Sequence, residues 1–265
     1  MHDFDFAVFV GRFQPIHIGH QHVIDEALKR AERLILLIGS ADGARSIRNP
    51  FSYAERVAML EEVYRHELAS GRILLRPIPD RLYNDQAWIA EAQRIVTETV
   101  LDVGNHGGVH LHGTNDFRIA LAGYKKDGTS FYLKMFPDWH QIDIPSQFGT
   151  LSSGEIRKEY FRRVPRLTNF GLAPGVFRWL MDFALTDTFK DLVAEREYID
   201  AYKASWEGTP YPPVFVTVDA VVVQSGKVLL IRRGAAPGRG QLALPGGFIN
   251  QTEPLKTAVI RELKE

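Results

Sequence analysis

Short, continuous apolar runs recur along the first half of the chain: FAVFV (6–10), LILLIG (34–39), ILLRPI (73–78) and VHLHG (109–113). Runs of this length without polar alternation suit strands buried on both faces, as in a parallel sheet. Between them the apolar positions change to a helical spacing, most clearly in YAERVAMLEEVYRHEL (53–68) and QAWIAEAQRIVTETVL (86–101). Strands alternating with helices predict βαβ units and an α/β fold with a mostly parallel, doubly wound sheet. FYLKMFPDWHQIDI (131–144) reads as further sheet broken by Pro137, and SGEIRKEYF starts another helix near Ser153.

Beyond residue 173 the pattern changes. It is helical without strands to about 205, and the turn-rich GTPYPP (208–213) follows. VFVTVDAVVVQSGKVLLIRRG (214–234) then reads as two β-runs meeting in a hairpin at Ser225-Gly226. LALPGGFIN (242–250) leads into a last helix, TEPLKTAVIRELKE, that runs to the final residue of the sequence. These changes divide the chain into a first domain at 1–170, a helical linker at 171–208 and a second segment at 209–265. No internal repeat or low-complexity tract interrupts the order.

Composition narrows the classes. With 265 residues, two domains are expected. Basic and acidic residues balance at 32 each, which gives no bulk attraction for nucleic acid or an anionic membrane. There is no cysteine, hence no disulfide framework and no thiolate metal site. The start MHDFDFAVFV carries acidic residues where a signal peptide is basic, so a cytoplasmic location is expected.

The chemistry concentrates where the first strand meets the first helix, in GRFQPIHIGH (11–20). Gly11 permits a tight turn and Pro15 restricts the loop. Arg12 can fork onto phosphate oxygens, and His17 and His20 can donate ring N–H groups to a triphosphate over the helix start. An isolated H-x-x-H pair would more simply be structural. A metal site would need further ligands than these. The whole string is more specific: GRFQPIHIGH resembles the signature of the H-x-G-H nucleotidyltransferase superfamily. Three further stretches resemble the archaeal-type nicotinamide mononucleotide (NMN) adenylyltransferases: RNPFSYAERVAML (48–60), IPDRLYNDQAW (78–88) and LSSGEIRKEYF (151–161).

That resemblance implies a Rossmann-like fold and a reaction of ATP with NMN that gives NAD and pyrophosphate, with Mg²⁺ as cofactor. It places His17, His20, Arg12 and Arg157 in the catalytic role, and Gly11, Phe13, Gln14, Gly19, Ser152 and Ser153 around ATP. Arg48, Asp80, Asn84 and Trp88 match the NMN-binding positions. Read as residues alone, several have plainer roles: Asn84 and Ser152 as helix caps, Trp88 as a core side chain and Arg48 as a solvated cation. Gly154 stands where the family usually has threonine, which removes one possible phosphate contact.

GYKKDGTSFYLKMFPDW (123–139) resembles the bacterial branch in which this domain is fused to a Nudix hydrolase. In GFINQTEPLKTAVIRELKE the spacing of Gly247, Glu253 and Arg261-Glu262-Leu263-Lys264-Glu265 reproduces the Nudix box up to its first closing glutamate. Glu262 and Glu265, three apart, share a helix face and could hold Mg²⁺. Such fusions imply ADP-ribose as the second substrate. With about 50 residues of an α/β/α Nudix fold in the sequence, the expectation is an incomplete domain without hydrolase activity. Two other readings stay open: adenylyl transfer to a different phosphate acceptor, and a non-catalytic sensor of NAD or ADP-ribose. A homo-oligomer is compatible with the sequence.

Overall fold

The computed structural model describes residues 2–105, 117–123, 135–145, 147–148, 151–162, 165, 167 and 171–265. It divides into two compact units, Met1–Phe189 and Lys190–Glu265.

In the first unit the chain alternates strand and helix as the apolar pattern predicts. The order is β1 (Phe4–Gly11), α1 (Ile18–Arg30), β2 (Ala31–Ile38), α2 (Tyr53–Ala69), β3 (Ile73–Pro77) and α3 (Asp85–Asn105). Then come β4 (Ile119–Gly123), β5 (His140–Asp143), α4 (Ser153–Tyr160) and α5 (Pro174–Phe183); α6 (Asp187–Ala204) begins in this unit and continues into the second. Five strands form one parallel sheet in the order β3-β2-β1-β4-β5, with Phe6 opposite Arg33 on one side and Ile119 on the other. The fold is α/β and Rossmann-like. Between β1 and β4 the strand order reverses direction, and the loop leaving β1 opens there.

The fourth strand is not where the apolar runs suggested. VHLHG (109–113) lies outside the described residues, and β4 is the small-residue stretch IALAG at Ile119–Gly123. Ala and Gly score poorly as strand formers, so propensity misses it. Packing decides instead, for all five residues are buried between β1 and β5. Of GYKKDGTSFYLKMFPDW, positions 124–134 likewise lie outside the described residues, and the stretch 131–144 contributes the four-residue β5.

One face of the sheet carries Phe6 and Val8 of β1 with Ile35 and Leu37 of β2, packed with Ala92, Val96 and Val100 of α3. The alternate positions of β1 point the other way, where Phe9 meets Phe13 edge-on at 5.6 Å and approaches His20 at 6.4 Å. Ser52 and Glu55 make a reciprocal capping box at the start of α2. Phe51 then anchors an aromatic cluster with Tyr160, Phe161, Trp179 and Phe183, and the Tyr160 hydroxyl donates to the Leu180 carbonyl at 2.5 Å. This cluster draws α4 and α5 into the first compact unit.

The second unit is built of short antiparallel pairs: β6 (Thr217–Asp219) with β11 (Gly246–Phe248), β7 (Val223–Gln224) with β8 (Lys227–Val228), and β9 (Ile231–Arg232) with β10 (Leu242–Ala243). The hairpin turn falls at Ser225-Gly226 as read from the sequence, both in the left-handed region at φ 50 and 73. The helix α7 (Leu255–Lys264) follows. Among the described residues no helix is long and apolar enough to cross a membrane.

Arg56 of α2 is the buried polar hinge of the first unit, 1% exposed. Its guanidinium donates to the carbonyls of Arg12 (3.0 Å), Gly39 (2.6 Å), Ser40 (3.2 Å) and Ser52 (3.2 Å). Removing it would strand these carbonyls where water cannot replace it. Arg56→Met is expected to cost about 3–5 kcal/mol and to lower the melting temperature by roughly 10 °C. Thermal denaturation followed by circular dichroism tests this, and a shift below about 2 °C would contradict it.

Candidate active site

The site begins at the corner between β1 and α1. Phe13 adopts φ 50, an unusual conformation for a bulky residue, and buries its ring 4.9 Å from that of His20. The peptide bond Gln14–Pro15 is cis. His17 occupies the N-cap of α1 and accepts the Gly19 N–H on Nδ1 at 3.1 Å. This bond fixes the tautomer: with Nδ1 accepting, the proton of the neutral ring sits on Nε2, leaving that nitrogen the donor. The ring of His20 lies 4.0 Å from that of His17. Gly19 lies close under the His17 ring, for a Cβ there would stand 3.0 Å from Cε1 of His17 and would crowd it.

Charge gathers around this corner from three elements. Arg12 leaves β1, Arg48 sits in the loop before α2, and Arg157 lies on α4. Burial, then the charges of Arg12 and Arg48, push the Arg157 guanidinium down to about 10, and no carboxylate of the described residues offsets them. Arg12 is lowered by burial and then by Arg48, with Asp80 acting in the opposite sense. Arg12 and Arg157 remain cations at neutral pH, so with Arg48 beside them the corner is a concentrated positive field. The helix α4 is fastened to the same loop: Arg157 Nη1 donates to the Gln14 carbonyl at 2.7 Å and Ser153 Oγ to the Pro15 carbonyl at 3.1 Å.

Several residues chosen from the sequence occupy other stations than expected. The N–H groups at the start of α1 are committed within the protein: Ile18 to the Gly171 carbonyl, Gly19 to His17 Nδ1 and His20 to the His17 carbonyl. They therefore do not serve as an open anion cradle. Phe13 is a packed core ring, and the Gln14 amide is engaged by Phe51 and Asn49. Ser152 caps α4, accepting the Glu155 N–H at 3.3 Å, and Asn84 accepts the Ala87 N–H at 2.9 Å at the start of α3. Trp88 is half-buried, edge-on to Phe136 at 6.5 Å, while Phe136 stacks on Trp139 at 4.3 Å. A methyl at Gly154 would meet only Ser152 Oγ at 3.4 Å, so the missing threonine is no steric requirement here. Sequence reading passed over Arg56, whose signal was a cation amid the apolar positions of α2.

In the second unit Arg261 is the hub. Its guanidinium binds both Glu253 oxygens (3.1 and 3.0 Å), the Phe248 carbonyl (2.9 Å), Glu262 (2.6 Å) and Glu265 (3.1 Å). Glu262 and Glu265 thus converge on one cationic nitrogen, Nη1. Two carboxylates sharing a cation suit a hard divalent ion, which would draw its remaining oxygens from water or substrate. Among the described residues no group of three or more His, Asp or Glu side chains forms a ready metal cage.

The cytidylyltransferase-like family matches residues 8–127 and the NUDIX domain family residues 213–265. A nicotinamide/nicotinic acid mononucleotide adenylyltransferase of Acinetobacter baylyi is 31% identical over 192 residues, covering 72% of this chain and 93% of that protein. A nicotinamide-nucleotide adenylyltransferase of Archaeoglobus fulgidus is 37% identical over 94 residues, 34% of this chain and 53% of its own. The crystal structure of a bifunctional NMN adenylyltransferase/ADP ribose pyrophosphatase from Francisella tularensis, with AMP and a manganese ion, superposes with a TM-score of 0.84. It is 32% identical, covering 99% of this chain and 73% of that one.

The His17 cap can be checked directly. Long-range ¹H–¹⁵N spectra are expected to show a proton on Nε2 and a bare, accepting Nδ1 at neutral pH. In Gly19→Ala the crowded ring must move. The cap should weaken and stability fall by about 1 kcal/mol. An Nδ1-protonated ring in the parent would refute the assignment.

Proposed function

We propose what this chain catalyses from the family it belongs to, the nicotinamide mononucleotide adenylyltransferases, here joined to a Nudix domain. It is an adenylyltransferase of NAD synthesis. Within that class we assign the acceptor as NMN and the companion metal as Mg²⁺, bound with ATP. The transferase is placed in residues 1–170, joined through the helical stretch 171–208 to the Nudix segment at 209–265, and working in the cytoplasm. The observation that carries the reading is the convergence of Arg12, Arg48 and Arg157 on the histidine corner, a cationic field suited to a polyanion.

In this reading a 5′-phosphate oxygen of NMN attacks the α-phosphorus of ATP. A new P–O bond forms, the bond from Pα to the bridging oxygen breaks, and pyrophosphate leaves with its electron pair. No side chain need become a nucleophile, because positioning and charge neutralisation carry such transfers. His17, through Nε2–H, and His20 donate to the triphosphate. Arg12 and Arg157 take up charge that builds on the departing pyrophosphate. Mg²⁺ supplies further neutralisation of the phosphate oxygens. Gly11 and Gly19 allow the close turn at the ATP site, Phe13 and Gln14 shape its floor, and Ser152 and Ser153 bring α4 to it. On the acceptor side, Asp80 and Asn84 are within the loop that leads to α3, and Trp88 offers a ring to the cationic pyridinium. Capping and packing by Asn84 and Trp88 hold those groups in place without preventing contact through their remaining faces.

For the Nudix fold to which the second unit contributes we propose the chemistry in the Francisella protein's name, with ADP-ribose as substrate and Glu262 and Glu265 as metal ligands, while residues 209–265 by themselves are expected to lack hydrolase activity. Divalent-metal dependence follows from the carboxylate pair. Glu253 and Arg261 would then hold the helix carrying that pair against Gly247 of β11, where a Cβ would stand 2.7 Å from Glu262.

Coupled NAD formation from ATP, NMN and Mg²⁺ tests the transferase. The parent should turn over, and His20→Ala should lose about 10²–10³-fold in kcat with its circular dichroism unchanged. A folded parent that binds NAD or ADP-ribose but makes no NAD would transfer the case to a sensor.

A further inference from the structure

Gln14 is a joint between the three arginine-bearing elements. Gln14 is 1% exposed. Its Oε1 accepts the Phe51 N–H at 2.9 Å, while Nε2 donates to the Phe51 carbonyl at 2.9 Å and to Asn49 Oδ1. Its own carbonyl takes the bond from Arg157 Nη1 at 2.7 Å. One residue therefore ties the loop after Arg12 to the loop of Arg48 and to the helix of Arg157.

Around Arg48 the chain is closed into a tight turn. Asn49 N–H donates to the Ser46 carbonyl (3.0 Å) and Oγ (3.2 Å), and Ser46 N–H to the Asn49 carbonyl (3.2 Å). The near side of this turn is held by Arg45, forked onto Glu55 at 2.8 and 3.0 Å and bonded to the Pro50 carbonyl. The far side is held by Gln14. Like charges brought together out of water repel, and three guanidiniums would splay apart unless backbone restraints kept them on station. Phe51, wholly buried in the aromatic cluster, gives Gln14 an immobile partner to restrain them against.

We propose that Gln14 is a positioning residue that sets the spacing of Arg12, Arg48 and Arg157, holding the loop of Arg48 through its amide and Arg157 through its backbone carbonyl, and so governs affinity for the nucleoside triphosphate. This rests on the adenylyltransferase reading only in naming ATP as the polyanion. Gln14 acts through the arginines and touches no substrate with its amide.

The test uses the full chain with Gln14→Ala, Asn49→Ala, Arg48→Ala and the double variant Gln14→Ala/Arg48→Ala. Calorimetry gives the Kd for ATP with Mg²⁺, and steady-state NAD formation gives KM for each substrate. Gln14→Ala is expected to weaken ATP binding about tenfold. Asn49→Ala, which keeps the paired bonds to Phe51, should move in the same direction by a smaller factor and covers the case in which Gln14→Ala fails to fold. Arg48→Ala should cost much less in the Gln14→Ala background than alone, because Arg48 is already off station. Additive losses would overturn the proposal. So would an equal fall in kcat with both KM values unchanged, the mark of fewer folded molecules. A parent that binds ATP yet forms no NAD would refute the reaction while the Kd series still decides the role of Gln14. A parent that binds no ATP would overturn both.

Discussion

Holding several guanidiniums together, partly out of water and against their mutual repulsion, is the demand around which the first unit is arranged. Burial and like charge both disfavour the cation, as the depressed values of Arg12 and Arg157 register. The compensation comes from backbone carbonyls more than from carboxylates. Arg157 leans on the Gln14 carbonyl, and Arg56 gathers those of Arg12, Gly39 and Ser40. A cation solvated by fixed dipoles keeps its charge available to a ligand, whereas one paired to a carboxylate is already neutralised. A field prepared in advance costs no reorganisation when a phosphoryl group passes through it.

The same economy explains why structural and chemical roles coincide at this site. His17 caps a helix with one ring nitrogen and thereby places the proton on the other. Ser152 caps α4, and the adjacent Ser153 secures that helix to the loop that carries the histidines. Asn84 caps α3 and so sets the direction from which Trp88 leaves the helix. In each case the plainer reading of the residue and the functional one are not rivals. The cap or the packing contact is the means by which the functional group is oriented.

The second unit is organised differently. Its strands are two or three residues long, and many apolar side chains stand open to solvent, among them Val214 (89% exposed), Val221 (67%) and Leu242 (61%). Burial alone gives little cohesion to so thin a layer. What orders the carboxylates is Arg261, whose planar fork reaches Glu253, Glu262, Glu265 and the Phe248 carbonyl together. An isolated surface ion pair is worth little, but one guanidinium shared by several partners fixes geometry.

The alternation of apolar strand and amphipathic helix was legible in the sequence because burial on both faces of a parallel sheet leaves a continuous hydrophobic signature. The H-x-G-H corner, the Ser225-Gly226 hairpin and the Gly–Glu–Arg spacing were legible for a similar reason, since each is a local arrangement with its chemistry within a few residues. IALAG escaped notice because its strand state is imposed by neighbours on either side and not by its own residues. The tasks of Arg56 and Gln14 were hidden as well, although both lie inside motifs that could be read. Their partners stand up to 44 and 143 positions away in the chain, so only the folded backbone brings the carbonyls to them. Residue types at fixed spacing determine which chemistry is possible, while tertiary structure decides which atoms remain available to perform it, because a donor already bound to a distant carbonyl looks the same in sequence as one that is not.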